Sequence, residues 1–418
     1  MAITSPSIDR IATLDIVRGV AVMGILAMNI VGFGMPPEAY MNPQAYGTES
    51  SADLASYVFG FIFIDGKMRG LFSFLFGASM LLVVERAEAK GGSPLGTHYR
   101  RMLVLLLFGL IHYYFIWWGD ILVMYALVGM IAVLWRGKSV KALIIWGIAL
   151  LALQLLLMVA SAAGAHSVSA AMASNPTPEQ VEAYRGFSEG FAIPTAERLR
   201  EYMALYGGSW WGVAHDRLTE HTTEPLFFLM IFGAETLAYM LLGMAALKSG
   251  LLTGDWSVAR LRRTVLVTLA ISLPIYALLA WALLADNFTV AGIFTYGLAA
   301  TTPIRPLTIV GYAALIVLVT RNGGALVERI AAAGRMAFSN YLGTSILMTA
   351  LFYGWGLGLY GDLSRIELWL PVIGMWVLML SWSKPWLDRY QYGPLEWLWR
   401  SLARGELQPM RKMLPAAA

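Results

Sequence analysis

The chain of 418 residues contains no cysteine and few charged residues. Without cysteine, it has no disulfides, no thiolate nucleophile, no iron–sulfur cluster and no Cys-ligated zinc. Charged residues make up 13% of the chain, about half of the share usual in globular proteins, and cannot cover several water-facing domains. This scarcity argues against intrinsic disorder, a nucleic-acid-binding module and an ordinary cytosolic enzyme.

Apolar and aromatic residues take the place of the missing charges. The chain is 58% hydrophobic and has 15 Trp, 22 Met and 41 Gly. Tryptophan at the interfaces and glycine inside helices are both typical of membrane spans. A net charge of only +4 fits membrane topology better than an affinity for nucleic acid. We therefore predict an all-α, polytopic membrane protein in contact with the lipid bilayer.

Ten apolar stretches are candidates for crossing about 30 Å of hydrocarbon, which takes about 20 helical residues. They are 16–33, 54–84, 102–118, 121–135, 142–164, 225–247, 265–284, 289–320, 336–353 and 367–382. Asp65-Gly66-Lys67 interrupts the second stretch, and Pro303 and Pro306 interrupt the eighth. Because proline removes a backbone hydrogen bond and kinks a helix, we predict that spans two and eight are broken.

The basic residues predict the orientation, since cytoplasmic loops carry most of the Lys and Arg. If the N-terminus is cytoplasmic, 21 of the 30 basic residues fall on the inner side, 5 on the outer side and 4 within spans. Both termini are therefore predicted to be cytoplasmic. The first stretch has no small-residue cleavage site and is expected to remain as a helix.

Three parts follow from these spans. Residues 1–163 hold five spans, residues 164–224 form an extracytoplasmic insertion, and residues 225–418 hold five more spans and a cytoplasmic tail. The insertion contains an amphipathic run at 195–206, followed by Trp210 and Trp211. This pattern favours interfacial helices that cover the outer face like a lid. A simple tether between spans five and six is the alternative.

Ionisable residues inside spans are costly in lipid, and each is a candidate for a functional site. Asp15 and Arg18 lie three residues apart on the first span and can pair with each other. Asn29 follows on nearly the same stripe. These residues predict one wall of a polar cavity near the cytoplasmic leaflet. The alternative is a self-neutralising pair at the helix end.

Lys67 and Arg69 lie at the break in span two, close to Asp65. The two cations exceed the one carboxylate, so the group requires a counterion within the membrane. The phosphate or pyrophosphate of a ligand satisfies this requirement, and so do carboxylates from another helix.

Four further polar residues belong to the second half of the chain. Glu235 in span six and Arg305 in span eight have no local partner, so each can meet the other or the cationic group of span two. Arg335 and Asn340 open span nine with a polar face. We include all four among the candidate substrate-binding or cofactor-binding residues.

His112 and Asp120 are the candidate catalytic pair. His112 follows Arg101 by eleven residues, or about 16 Å of helix, which places it near the bilayer midplane. Asp120 lies in the tight turn that follows. A histidine with an orienting carboxylate is the minimal pair for general base catalysis. The spacing leaves open whether the two side chains touch, and a hydrogen-bonded structural histidine is the alternative.

Short motifs along the whole chain carry a resemblance to a known family. They are Leu14-Asp15-Ile16-Val17-Arg18-Gly19, Gly66-Lys67-Met68-Arg69, Gly109-Leu110-Ile111-His112, Gly119-Asp120-Ile121-Leu122, Gly334-Arg335-Met336-Ala337 and Tyr392-Gly393-Pro394-Leu395-Glu396. As a set, they resemble the YeiB-like family of bacterial membrane proteins. The first motif is also similar to the opening of the broader transmembrane acyltransferase superfamily. The resemblance implies a multi-pass protein of the bacterial inner membrane.

In that superfamily, acyl-CoA enters from the cytoplasm, an acceptor meets it from the far side, and a histidine acts as base. The resemblance therefore implies transfer of an acyl group, in the simplest case from acetyl-CoA as co-substrate, to a hydroxyl or amine. The key histidine of those relatives lies in or just beyond the first span. This chain has Asn29 there and no histidine before His98. The base role would pass to His112 in the 1–163 core, with Asp120 orienting it.

Under this interpretation, Arg18, Lys67 and Arg69 bind the phosphates of CoA, and the insertion selects a small-molecule, glycan or lipid acceptor. The alternative is a secondary transporter or flippase for a small anionic or amphiphilic solute, because charges at broken helices are typical of transporter sites. A non-catalytic assembly or sensing protein is a third class. We expect no metal and no nucleic-acid partner, and a homodimer is compatible with the sequence.

Overall fold

A computed structural model describes residues 12–412, and these residues form helices and no strand. The first part contains α1 (Ala12–Gly34), α2 (Ser51–Phe63), α3 (Lys67–Ala89), α4 (Pro94–Phe115), α5 (Leu122–Ala132) and α6 (Val140–Met172). The insertion contains α7 (Pro178–Ser188), α8 (Ala196–Tyr206) and α9 (Trp210–Thr219). The rest contains α10 (Glu224–Lys248), α11 (Val258–Ala285), α12 (Val290–Gly292), α13 (Arg305–Val319), α14 (Ala325–Arg335), α15 (Ala337–Phe352), α16 (Trp369–Arg389) and α17 (Pro394–Arg404).

Five helical segments are long and apolar enough to cross a membrane by length and composition. They are Ala12–Gly34, Ser51–Ala89, Val140–Met172, Glu224–Lys248 and Val258–Ala285. Three shorter apolar segments lie at Leu122–Trp135, Val290–Ala299 and Arg305–Val319. The all-helical fold is confirmed, and the long apolar helices support a membrane protein. The count of ten spans stays a prediction, and the predicted placement of the termini concerns residues outside 12–412.

The two predicted helix breaks are present. Between α2 and α3, Gly66 has a φ of 67°, in the left-handed region that glycine adopts without steric cost. Before α13, a π-helical turn at Ile293–Ala299 ends the preceding segment. Pro306 then occupies the first turn of α13, where a missing N–H breaks no helical hydrogen bond. Local sequence therefore explains both breaks.

Helix α10 lies at the centre of the fold and packs against α3 and α6. A Cβ added to Gly243 of α10 would lie 1.7 Å from the carbonyl oxygen of Phe74. Glycine at this position therefore lets the backbones of α3 and α10 approach more closely than any side chain would allow. This close contact brings the charged residues of the two helices together.

The insertion packs against the rest of the chain. Tyr202 of α8 donates a hydrogen bond to Glu38 (3.0 Å), and Trp210 of α9 donates to the Phe115 carbonyl at the end of α4 (2.7 Å). The N–H of Gly354 donates to the Tyr206 carbonyl (2.8 Å). These contacts favour a docked cover over a loose tether. Helix α6 continues past the expected boundary at residue 163, and the three-part division stays a prediction.

Candidate functional site

The structure brings His112 and Asp120 into contact. Helix α4 ends three residues after His112, and the chain turns back before α5 starts, which returns Asp120 to the imidazole. His112 Nδ1 lies 2.8 Å from Asp120 Oδ1, and Asp120 Oδ2 accepts from the N–H of Val123 (2.7 Å). Both side chains are buried, with exposed fractions of 0% and 2%. The carboxylate is thus held by the start of α5 and orients the histidine.

The second imidazole nitrogen is available for chemistry. His112 Nε2 is buried and has no hydrogen-bond partner among residues 12–412. With a proton on Nδ1 donated to Asp120, Nε2 carries the lone pair and can accept a proton. The ring centroid of Tyr341 lies 5.2 Å from that of His112, and the Trp117 ring lies 6.4 Å away. The pair has the arrangement of a general base with its orienting carboxylate.

Close to this pair is a cavity of about 250 Å³, which we call the arginine pocket. Its wall includes five arginines from five helices, namely Arg18, Arg86, Arg101, Arg335 and Arg400. Leu122 and Tyr341 also line it. Because Leu122 starts α5 beside Asp120 and Tyr341 contacts His112, the pocket reaches the immediate neighbours of the catalytic candidates.

One carboxylate, Glu396, lines the arginine pocket, and it accepts hydrogen bonds from the start of α15. Glu396 accepts from the N–H groups of Phe338 (2.8 Å) and Ser339 (3.1 Å) and from the Ser339 hydroxyl (2.5 Å). It thereby caps the N-terminus of α15. Burial raises the pKa of the Glu396 carboxyl above its ordinary value. The wall is therefore strongly positive, which suits phosphate groups.

Helix α17 closes one side of the pocket. Trp399 donates its indole N–H to the Arg101 carbonyl (2.9 Å), and the Arg101 guanidinium lies 4.3 Å from the Trp399 ring centroid. In the sequence, Arg86, Arg101 and Arg400 belonged only to the basic residues of the inner side, and Glu396 only to a family motif. The sequence held one signal for Arg86, because Ser79 and Arg86 lie seven residues apart and therefore share a polar face of α3.

A second charged group, which we call the interior cluster, lies where α3, α10 and α13 meet. Arg69 donates to Glu235 Oε2 (2.5 Å), and Arg305 donates to Glu235 Oε1. Tyr239 also donates to Glu235 (2.9 Å). Lys67 donates to the Phe61 carbonyl. A carboxylate from another helix thus meets the cationic group of span two, as one of the two sequence alternatives proposed.

The remaining candidate residues do not form one site in the structure. Arg18 pairs with Asp15 (3.1 Å), donates to Ser79 (2.6 Å) and lines the arginine pocket together with Arg335. Asn29 is buried on α1.

Asn340 is occupied by helix packing. Its Nδ2 donates to the Ala333 carbonyl (3.0 Å) and to the Ser383 hydroxyl (3.2 Å), and its Oδ1 accepts from the Trp382 indole N–H (2.9 Å). Asn340 therefore joins α15 to α16 and does not line the arginine pocket. Lys67 and Arg69, expected beside Arg18, do not line it either.

Comparison with known proteins gives full-length relatives. The chain is 34% identical over 409 residues to the uncharacterised protein YeiB of Escherichia coli (strain K12), covering 94% of this chain and 96% of the relative. It is 32% identical over 413 residues to the uncharacterised protein YxaH of Bacillus subtilis (strain 168), covering 97% and 96%. No solved structure matches. Residues 246–406 match the family model described as a protein of unknown function (DUF418). The chain therefore belongs to the YeiB-like family of DUF418 proteins.

Proposed function

We propose that the chain is a membrane-embedded acyltransferase that moves an acyl group, in the simplest case acetyl, from cytoplasmic acyl-CoA to a hydroxyl or amine acceptor. The observation that carries the proposal is the buried pair of His112 and Asp120, which has a free imidazole nitrogen and whose neighbours Leu122 and Tyr341 line the arginine pocket. The acceptor, a small molecule, glycan or lipid, reaches the pair from the extracytoplasmic side, which α7, α8 and α9 cover.

The arginine pocket binds the donor. Guanidinium groups form paired, charge-assisted hydrogen bonds with phosphate oxygens, and five of them line this wall. The phosphates of the donor lie against the arginines, and its thioester arm extends toward Tyr125 and Tyr341, which also line the pocket. In this proposed arrangement, the charged part of acyl-CoA lies near water and its reactive carbon lies near His112.

The chemistry is a single acyl transfer. His112 Nε2 removes the proton of the acceptor hydroxyl or amine as that atom attacks the thioester carbonyl carbon. The C–S bond then breaks, and the CoA sulfur leaves with the proton that His112 returns. Asp120 stabilises the imidazolium that forms between these steps, because its carboxylate is already bonded to Nδ1. No net proton or electron is gained or lost by the enzyme.

The direct test is CoA release from acetyl-CoA by the purified protein, measured with a thiol reagent in the presence of membrane-lipid and glycan acceptors. We expect His112→Ala to lower turnover by about 10²–10⁴-fold, because it removes the general base. The matched control is His166→Ala, since His166 is exposed and hydrogen-bonds to Thr295 on another part of the chain. That variant is expected to retain full turnover.

Two results would refute the proposal. One is equal turnover of the His112→Ala and wild-type proteins at equal folded fraction. The other is a wild-type protein that neither binds acetyl-CoA nor releases CoA, but accumulates solute in vesicles under a proton gradient. That second result would favour the transporter.

A further inference from the structure

The interior cluster has more basic side chains than carboxylates, with Lys67, Arg69 and Arg305 facing Glu235 and Asp65. Glu235 forms ion pairs with both Arg69 and Arg305, but its single negative charge neutralises only one of them. The other carboxylate at this position, Asp65, accepts a hydrogen bond from Tyr40 (3.0 Å). In the part of the chain that the structure describes, no carboxylate forms an ion pair with Lys67, so three cations face two carboxylates.

Lys67 is held by groups that do not neutralise it. Its ammonium donates to the Phe61 carbonyl and lies 3.3 Å from the ring centroid of Tyr276, and its exposed fraction is 0%. A carbonyl and an aromatic face stabilise a buried cation but leave its charge in place. Taking an unpaired ion out of water is unfavourable, so a counterion is expected to bind beside Lys67.

Several hydrogen-bond donors around the cluster also lack partners. They are Arg69 Nη1, Arg305 Nε, Ser272 Oγ and Thr308 Oγ1, and all are buried. Ser272 is one helical turn from Tyr276, and Thr308 is nearly one turn from Arg305, so they extend the same polar region. Buried polar groups are nearly always hydrogen-bonded in native proteins. Each of these four atoms is able to donate a hydrogen bond, which is the kind of contact that an anion accepts.

The two helix breaks add to the positive electrostatic potential at the interior cluster. Helices α3 and α13 start at Lys67 and Arg305, so the positive ends of two helix dipoles lie beside the cluster. A Cβ added to Gly66 would lie 2.6 Å from Arg305 Nε, which shows how closely the two helix starts approach. Broken helices with their positive ends around an anion are the arrangement of transporter midplane sites.

We propose that the interior cluster is a binding site for one small monovalent anion of the size of chloride. One excess charge selects a monovalent ion, because a phosphate would bring more negative charge than the cluster neutralises. The site is distinct from the arginine pocket, since none of Lys67, Arg69 and Arg305 lines that pocket. Anion binding at the interior cluster does not depend on acyl transfer.

The test compares thermal unfolding of the purified protein in sodium chloride and in sodium gluconate at equal ionic strength. Gluconate is too large for the closed cluster. Chloride should raise the unfolding midpoint of the wild-type protein by about 2–4 °C relative to gluconate, because a ligand that binds only the folded state stabilises it. Equal midpoints in the two salts would overturn the proposal.

Lys67→Met removes the excess charge and is expected to abolish the chloride-dependent shift. The matched control is Lys248→Met, because Lys248 donates to the carbonyls of Arg136 and Lys138 and lies outside the cluster. A Lys67→Met protein that keeps the full shift would contradict the assignment. If that variant does not fold, crystals of the wild-type protein soaked in bromide provide the test. An anomalous peak beside Arg69 and Arg305 is expected. The absence of this peak would overturn the proposed site.

Discussion

The arginine pocket and the interior cluster are both rich in arginine, but the arginines have different roles in the two regions. In the interior cluster, Arg69 and Arg305 share Glu235, whose side chain is 1% exposed. In the arginine pocket, the one lining carboxylate is Glu396, and it is directed at the start of α15. The pocket encloses about 250 Å³ and is lined by arginines, whereas Lys67, Glu235 and Arg305 of the interior cluster are buried.

The difference shows how burial decides the role of an arginine. A buried guanidinium requires a carboxylate from the protein itself, because removal of one partner leaves an unpaired charge in a medium of low dielectric constant. Guanidiniums around an accessible cavity remain hydrated and can exchange water for phosphate oxygens. We therefore expect substitutions in the interior cluster to change stability and substitutions in the pocket to change donor binding.

The largest expected effect follows from Glu235→Gln. This change leaves Arg69 and Arg305 buried without their shared carboxylate, and we expect a loss of about 3–5 kcal/mol in the free energy of unfolding. Chemical denaturation in detergent micelles measures it. Glu328→Gln is the matched control, because Glu328 is 63% exposed and its contact with Lys384 is long at 3.8 Å. Similar losses in the two variants would show that Glu235 contributes no more to stability than an exposed carboxylate.

A smaller effect, on binding alone, is expected for Arg86→Gln in the arginine pocket. Its guanidinium lines the pocket, and its Nε has no hydrogen-bond partner in the described chain. We expect KM for acetyl-CoA to rise about tenfold with kcat nearly unchanged, because one charge-assisted contact to a phosphate is lost. Steady-state kinetics test this, with Lys90→Gln as control because Lys90 lies at the end of the same helix but outside the pocket. A fall in kcat without a change in KM would contradict the donor-binding role.

The smallest effect concerns the charge of Glu396. Burial raises its pKa, so it takes up a proton at a higher pH than an ordinary glutamate and then no longer opposes the arginines. As the pH falls from neutral toward that pKa, KM for acetyl-CoA should fall about two- to threefold in the wild-type protein relative to Glu396→Gln. A constant ratio of the two KM values across this range would show that Glu396 does not tune the pocket.

The same carboxyl predicts a change in stability. A carboxyl whose pKa is higher in the folded than in the unfolded protein binds its proton more tightly when folded. Its favourable contribution is therefore complete below the unfolded pKa and is lost as the pH rises through the folded pKa. The unfolding midpoint of the wild-type protein should rise relative to that of Glu396→Gln as the pH falls through this window.

Local features of the sequence were sufficient to predict much of the fold. The apolar stretches predicted an all-helical protein, because about 20 apolar residues in a row have few other stable arrangements. The breaks at Gly66 and Pro306 were predictable because backbone conformation at glycine and proline depends on the residue itself. The family motifs, which extend along the whole chain, predicted the family that the full-length relatives confirm.

The site depended on contacts between distant parts of the chain. Arg69 and Glu235 are 166 residues apart in sequence, and only the close packing of α3 against α10 brings them together. Glu396 reaches the start of α15 from α17, and no spacing rule relates the two. Even His112 and Asp120, eight residues apart, meet only because the helix ends between them.

The sequence by itself thus indicated an all-helical protein, two helix breaks and the charged side chains that lie in apolar stretches. These properties depend on interactions within a few residues. Only the tertiary structure decided how the charges combine, with Glu235 between two arginines and five other arginines around a pocket. The physical reason is that a charge in an apolar environment acquires its partner through helix packing, and packing joins residues without regard to their separation along the chain.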